Sequence, residues 1–413
     1  MNLLSFFYRK GFRLSVYSVI IPVLLQVLYV RYISYNVDES IFGSFILYIS
    51  FIALVTSVLF SVPFAALTRY INETSNKSRF VNEFMTLQIP LNIIGVLIIY
   101  LYSIYKNIGF DIFLILSIYF ILINRYSLNK IVIFQLIKRK QFFNISIFEK
   151  LARFFFPVLI FYFFQSSVGL LYGLLLGYLI LVIYSSFQAR TFKQKVLFSY
   201  KKVKIYFLYG YPLMIVNLAV WVVSLSDRYF IENYIGSAEV GLYSILAQVA
   251  GFFSILASIF TVYVQPLVFK EFSIDKKKAM EMYLGYLRKS VFIVIPAYII
   301  FLFIPREVFA IIVNPEIILA DEYYYLFHIL VIASILAAYV SLLTNIFWLN
   351  NKGYILAIFW TFALLFSLIG NTFIEIYGIY AVALTKALAY LFLLVIMYFW
   401  VKNLMLKKYL KRD

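Results

Sequence analysis

Cysteine is absent from the 413 residues. That excludes disulfides, thiolate metal sites and cysteine nucleophiles, and leaves the redox compartment unread. Histidine occurs once, at His328, so no H-E-x-x-H or paired His/Asp chemistry is available, and no Gly-rich phosphate loop replaces it. Charge is scarce: 13% of residues are Asp, Glu, Lys or Arg, where a soluble domain carries about 25%. Acids are the scarcest, 18 against 36 Lys and Arg. What fills the chain is apolar, 64% of residues with a mean hydropathy of +0.95. This composition belongs to a polytopic membrane protein. The net charge of +18 is not gathered in one domain, as a nucleic-acid binder would have it. It recurs in short clusters between apolar runs. No nucleic-acid partner is expected.

Twelve spans are read, near 12–35, 41–67, 84–105, 110–136, 147–165, 168–189, 204–226, 239–267, 284–304, 323–349, 354–375 and 378–401. Each holds close to the ~20 apolar residues that a bilayer core requires. The first is too long for the apolar region of a signal peptide and lacks a small-residue cleavage site, so it is expected to remain as a span. Loops between spans are short, the longest outer one running from Pro305 to Glu322 with Asn314-Pro315 as a turn signal. Chemistry or binding must therefore take place within the helix bundle or at its rims. Aromatics reach 21%, many near span ends as interface anchors.

The stretch from Phe110 to Ile137 carries Arg125 and Lys130 inside a span, with Asn124, Asn129, Ser127 and Gln135. A cation at mid-bilayer costs roughly 2.5–3.5 kcal/mol on insertion scales, so it persists where it meets protein interior or a wet cavity. At ~100° per residue Arg125 and Asn129 lie about 40° apart, and Lys130 about 140° from Arg125. The polar groups thus cover more than one face of the helix. Lys386 lies deep in the last span, where it could pair with Glu375 or face a cavity. Asp227 and Arg228 form either an ion pair at a helix end or part of a site. Glu149 and Arg153 have i, i+4 spacing at the inner end of the fifth span and read as a structural pair. His328 reads as a packed residue.

A basic linker divides the chain into residues 1–190, 191–204 and 205–413. The outer pieces repeat loosely. Pro22, then the outer loop before IFGSF (Ile41–Phe45), then Pro63 answers to Pro212, VGLYS (Val240–Ser244) and Pro266. Both units cross twice from the same side, which makes them parallel repeats of a kind known in secondary transporters.

The segment from Ser226 to Phe269 has an Asp-Arg pair ending one span, a Tyr-Ile-Gly loop, Glu-Val-Gly-Leu-Tyr opening the next, and Gln-Pro near its close. It resembles the start of the C-terminal half of Wzx-type polysaccharide-export flippases, in the multidrug/oligosaccharidyl-lipid/polysaccharide (MOP) superfamily. The resemblance implies an all-α bundle of about 12 transmembrane helices in two pseudo-symmetric six-helix lobes around a cavity. It implies transport rather than catalysis: movement of undecaprenyl-pyrophosphate-linked repeat units across a bacterial cytoplasmic membrane for surface polysaccharide. On that resemblance the cargo groups would be Arg125, Lys130, Asn129 and Tyr126, with Arg31, Arg69 and Arg228 at the mouths and Asp227 and Lys386 in the second lobe. Tyr119 and Tyr126 would stack on sugars. The partners would be the lipid-linked glycan, the bilayer and the polymerase and chain-length machinery. No cofactor is expected beyond a coupling ion, H⁺ or Na⁺. The alternatives are a related exporter carrying lipid II or drugs, and a membrane polysaccharide polymerase. Mid-span cations rather than acids favour an anionic cargo, and the short outer loops disfavour the polymerase.

Orientation follows from Lys and Arg. With the N-terminus inside, 29 of them fall on inner segments and four, Arg31, Lys106, Arg228 and Arg306, on outer ends. The positive-inside rule then sets both termini in the cytoplasm. Single cysteines placed at 202 and 277 should be labelled only from the cytoplasmic side, and those at 106 and 316 from outside. Labelling of position 277 in intact cells would overturn the twelve-span order.

Overall fold

The computed structural model describes residues 10–405 other than 73, 137, 191–199, 255–267, 269–270, 273 and 351. Long apolar runs become helices because lipid offers the backbone no hydrogen-bond partner. In order these are α1 (Lys10–Asn36), α2 (Glu39–Tyr70), α3 (Lys77–Tyr105), α4 (Phe110–Gln135), α5 (Arg139–Lys150), α6 (Phe156–Phe164), α7 (Ser167–Ala189), α8 (Tyr200–Leu225), α9 (Asp227–Tyr234) and α10 (Ser237–Ala250). They continue as α11 (Lys276–Leu302), α12 (Arg306–Phe309), α13 (Pro315–Ile318), α14 (Asp321–Leu349), α15 (Gly353–Asn371), α16 (Ile374–Tyr377) and α17 (Ile379–Met405). Eight of them (α2, α3, α4, α7, α11, α14, α15 and α17) are long and apolar enough to cross a membrane, and α8 with α9, bent by 42°, makes up to a ninth.

The expected spans fall on these helices. The fifth is a continuous rod, α5 and α6 joined by the π-helical turn Leu151–Phe155. The eighth is helical over 239–250 and tightens to a 3₁₀ turn at Gly251–Ser254. Its remainder, with Pro266, lies outside the described residues, as does 191–199 of the linker. The last part of that linker is not loop: α8 already begins at Tyr200. The outer Pro305–Glu322 segment folds into the single turns α12 and α13, with the Asn314 side chain accepting from the Glu316 N–H. Other turns are set by side chains that occupy free backbone donors, such as Asp38 on Ser40 and Ile41 and Asn76 on Arg79.

Two glycine devices set helix spacing. Along α7, Gly173 and Gly177 press on the backbone of the α5–α6 rod. A Cβ on Gly173 would lie 2.4 Å from the Phe156 carbonyl oxygen, and one on Gly177 2.6 Å from that of Ala152. Small residues four apart let helix backbones approach closely, a main source of association energy in lipid. The second device joins the echoed motifs. A Cβ on Gly43 would sit 1.8 Å from the Ser237 carbonyl oxygen, and one on Gly241 2.0 Å from the Glu39 oxygen. Each glycine thus meets the carbonyl four residues before the other. The contact is reciprocal, as a pseudo-two-fold relation between α2 and α10 requires.

The apolar core has an uneven shape. Toward the end that holds the 36–38, 106–109, 235–236 and 303–320 connections it is one cluster fed by both halves, from Ile33, Phe42, Phe45 and Leu116 to Tyr243, Leu246, Phe309 and Phe327. Toward the opposite end it divides. One part comes from residues 66–189 with Tyr206 of α8, and another from residues 216–401. Polar bonds tie the halves on the undivided side: Arg31 Nη1 to the Ile311 carbonyl at 2.6 Å, Lys106 to Glu232 at 3.2 Å, and Tyr229 Oη to the Leu47 carbonyl at 3.0 Å.

Gly43→Val and Gly241→Val should each lower stability by about 1–3 kcal/mol or more, because the obstructing atoms are backbone. Gly285→Ala, with open space around it, should be neutral or stabilising by up to about 1 kcal/mol. Thermal unfolding in detergent checks this. Equal effects at positions 43 and 285 would contradict the close crossing.

Candidate functional site

Pro157 has no N–H to offer the carbonyl of Arg153 four residues earlier, so the helix ladder is broken there. The chain answers with the π turn, in which the Phe156 N–H reaches the Leu151 carbonyl. Such turns often sit at functional positions. Here it carries Arg153, which is exposed, with Tyr178 of α7, Tyr119 and Tyr126 of α4, and Glu149 as its charged and phenolic neighbours. Tyr178 is the largest favourable electrostatic neighbour of Arg153. Three buried tyrosines from two other helices thus stand around the Arg153 charge.

Glu149, one turn earlier, anchors the rest. Its Oε2 accepts from Lys130 Nζ at 2.6 Å and from Tyr126 Oη at 2.8 Å. Lys130 also lies over the Tyr126 ring, 5.7 Å from its centroid. Tyr178 stands edge-on to both Tyr119 and Tyr126, with centroids 5.2 and 6.0 Å apart. Lys150 adds a third cation within electrostatic range of Arg153, Glu149 and Lys130. Three cations thus surround one carboxylate, a local balance of two positive charges. Tyr29 of α1, stacked on Phe154 at 4.8 Å, closes another side. At 1.5 Å per residue, Lys130 lies about 30 Å along α4 from its Phe110 end.

A second cluster lies in the other half. Asp227, 2% exposed, begins α9 at the 42° bend. Its carboxylate accepts from Lys386 at 2.6 Å, Tyr243 at 2.6 Å, and the Arg228 backbone and guanidinium at 3.0 Å. Arg228 donates further to Ser244 and to the Ser224 carbonyl. Two cations share one carboxylate, a balance of one positive charge, and the cluster is closed, with none of the three side chains more than 12% exposed.

The nine residues expected at the site therefore separate. Tyr126 and Lys130 share the first cluster. Asp227, Arg228 and Lys386 form the second; Lys386 pairs with Asp227 rather than with Glu375, and Arg228 is buried rather than at a mouth. Asn129 is fully buried and donates to Ser185 and Ser186 of α7 at 3.0 and 2.9 Å, a helix-to-helix tie. Arg125 is half-buried and turned about 100° from Tyr126, on the side of α4 that carries the exposed Ile118 and Ile121. Arg31 is a latch to the 310–312 loop, and Arg69 is exposed at the end of α2. Glu149 and Arg153, read above as a structural pair, belong to the first cluster instead. Their signal was an acid inside an apolar run with Pro157 close behind. Tyr178 had none among 37 tyrosines.

Removing one member of a buried, hydrogen-bonded ion pair leaves the other uncompensated at a cost of about 3–5 kcal/mol, and removing both can be neutral. Asp227→Asn leaves both Lys386 and Arg228 without their carboxylate and should lower stability by about that amount, whereas Lys386→Met keeps the Asp227–Arg228 pair and should cost less. The double variant should lose less than the two single losses together, read as a thermal shift in detergent. Additive losses would contradict the pairing.

Comparison with protein-family models matches residues 42–315 to the family described as polysaccharide biosynthesis protein. Comparison with curated protein sequences finds no match. Among solved structures, the chain is similar to the lipid II flippase MurJ in an inward closed conformation, with a TM-score of 0.74 and 16% identity over 95% of this chain and 87% of that one. It is similar also to an outward-facing MATE multidrug resistance transporter of the MOP superfamily, with a TM-score of 0.69 and 14% identity over 97% and 96%. For an inward-facing MATE transporter of the same superfamily the values are 0.63 and 13% over 95% and 99%. At such identities the likeness is one of fold, and the fold is that of the MOP transporters. The family match spans well over half of the sequence, and the chain belongs to the polysaccharide biosynthesis protein family.

Proposed function

We propose that the chain is a flippase that carries undecaprenyl-pyrophosphate-linked oligosaccharide units from the cytoplasmic to the outer leaflet of a bacterial cytoplasmic membrane, by alternating access. The observation that carries this reading is the first cluster, where Lys130, Lys150 and Arg153 outweigh Glu149 between α4 and the α5–α6 rod. A pyrophosphate is strongly hydrated and enters a low-dielectric cleft only against fixed cations. Arg153 offers a planar fork for two oxygens, Lys130 a point charge. Tyr119, Tyr126 and Tyr178 frame the site with aromatic faces suited to a sugar or an isoprenoid stem.

In this reading residues 1–190 and 205–413 are the two moving lobes, joined by the 191–204 segment on the inner surface. The division of the core on the side assigned to the cytoplasm supports loading from that leaflet, and the undivided core closes the outer exit. The cation count disfavours a cationic drug as cargo. Lipid II is the second reading, favoured by the likeness to MurJ. Its headgroup carries the same pyrophosphate, so the two readings differ in what the pyrophosphate bears.

Proteoliposomes loaded with a polyprenyl-pyrophosphate-linked oligosaccharide test the proposal. Arg153→Ala, inserted at the parent level, should slow transbilayer movement by about tenfold or more, the loss of one charge-assisted contact. Arg125→Ala should slow it by less than about threefold. Transport at the parent rate by Arg153→Ala would remove Arg153 from the cargo site. Faster movement of lipid II than of the oligosaccharide lipid would favour the second reading.

A further inference from the structure

The span formed by α8 and α9 breaks at Ser226 with a 42° bend, and Asp227 stands at the break, 2% exposed. Broken spans are where secondary transporters commonly hold coupling ions, on oxygens that the break frees. The resemblance read from the sequence implies such an ion, H⁺ or Na⁺. The oxygens present at the break do not fit a metal ion. Asp227 Oδ1 accepts from the Arg228 N–H and guanidinium, and Oδ2 accepts from Tyr243 and Lys386. These four donors fill the roughly four acceptor sites of a carboxylate. Ser244 Oγ and the Ser224 carbonyl are also taken, accepting from Arg228 at 3.2 and 3.1 Å.

Charge excludes a metal ion more firmly. Arg228 and Lys386 already outweigh Asp227 by one positive charge in a cluster closed to water. The surplus is met by the Tyr243 ring, whose centroid lies 5.9 Å from the guanidinium carbon and 5.6 Å from the ammonium. A Na⁺ ion added here would be a third cation on one carboxylate, and like charges repel strongly where water is excluded. The first cluster suits a metal ion no better, with three cations to one carboxylate.

We propose that the Lys386 ammonium is a tethered substitute for a metal coupling ion, so that the second lobe binds no alkali cation and transport gains nothing from a Na⁺ gradient. For coupling this rests on the transport reading above, while the binding of the cation stands on the cluster alone. A dissolved ion comes and goes with its concentration. An ammonium carried on α17 is present at a fixed effective concentration whatever the salt outside. It keeps α9, α10 and α17 joined through Asp227 and Tyr243 without an ion to exchange.

The test compares unfolding temperatures of the purified full chain in neutral detergent, in NaCl and in choline chloride of equal ionic strength. The parent should unfold at the same temperature in both. Lys386→Ala keeps the Asp227–Arg228 pair but vacates the place of the ammonium. It should unfold a few degrees lower in choline chloride and regain part of that loss saturably with NaCl. Should Lys386→Ala fail to fold, Lys386→Gln, which keeps most of the stem and offers an oxygen, takes its place. In proteoliposomes the parent should move the pyrophosphate-linked oligosaccharide lipid equally fast with Na⁺ or choline outside. Stabilisation of the parent by Na⁺, or faster transport with it, would overturn the proposal. So would a folded Lys386 variant indifferent to NaCl, which would leave Lys386 a structural partner only. A parent that moves no lipid while the thermal results hold would overturn the cargo reading and leave Lys386 as the resident cation.

Discussion

Lys130 and Glu149 meet at 2.6 Å in a place where lipid would tolerate neither alone. A charge in the bilayer interior persists only beside a partner or water, and the architecture of the first half follows from satisfying that condition. The α5–α6 rod must pass near α4 to present Glu149, and the glycine stripe of α7 lets it do so while α7 adds Tyr178. The π turn before Pro157 then directs Arg153 toward those same tyrosines. The second half satisfies the condition differently. Its carboxylate meets two cations and a tyrosine with little opening to solvent, which suits a cluster that holds α8, α9, α10 and α17 together.

The apolar core differs between the two ends of the molecule. The reciprocal Gly43–Gly241 crossing and the bonds from Arg31, Lys106 and Tyr229 close one side of the molecule. On the other side the core forms two clusters, one from residues 66–189 with Tyr206 of α8 and one from residues 216–401, and α8 meets α2 there at Gly210 and Val62.

Much of the fold was legible in the sequence because hydropathy and loop charge act locally. The spans, their order and the Gly43/Gly241 echo could all be seen. The meaning of the echo, a mutual backbone contact, could not, since the two glycines lie far apart in the chain. Lys130 could be recognised as an intramembrane cation by cost alone. The same logic promoted Arg125, but helical phase puts it on another side of α4. Glu149 and Arg153 looked like a structural pair because i, i+4 spacing assumes an unbroken α-helix and says nothing of α4 and α7 opposite. Asp227 and Lys386 are 159 residues apart, and no local pattern joins them.

The claim on which the account turns is that the anionic head of the cargo rests on the first cluster. Cryo-electron microscopy of the full chain with a polyprenyl-pyrophosphate-linked sugar measures this directly. The account predicts diphosphate density within hydrogen-bond reach of Arg153 and Lys130, with the Glu149 carboxylate moved off Lys130. Diphosphate density elsewhere in the bundle, with the Lys130–Glu149 contact intact, would contradict it.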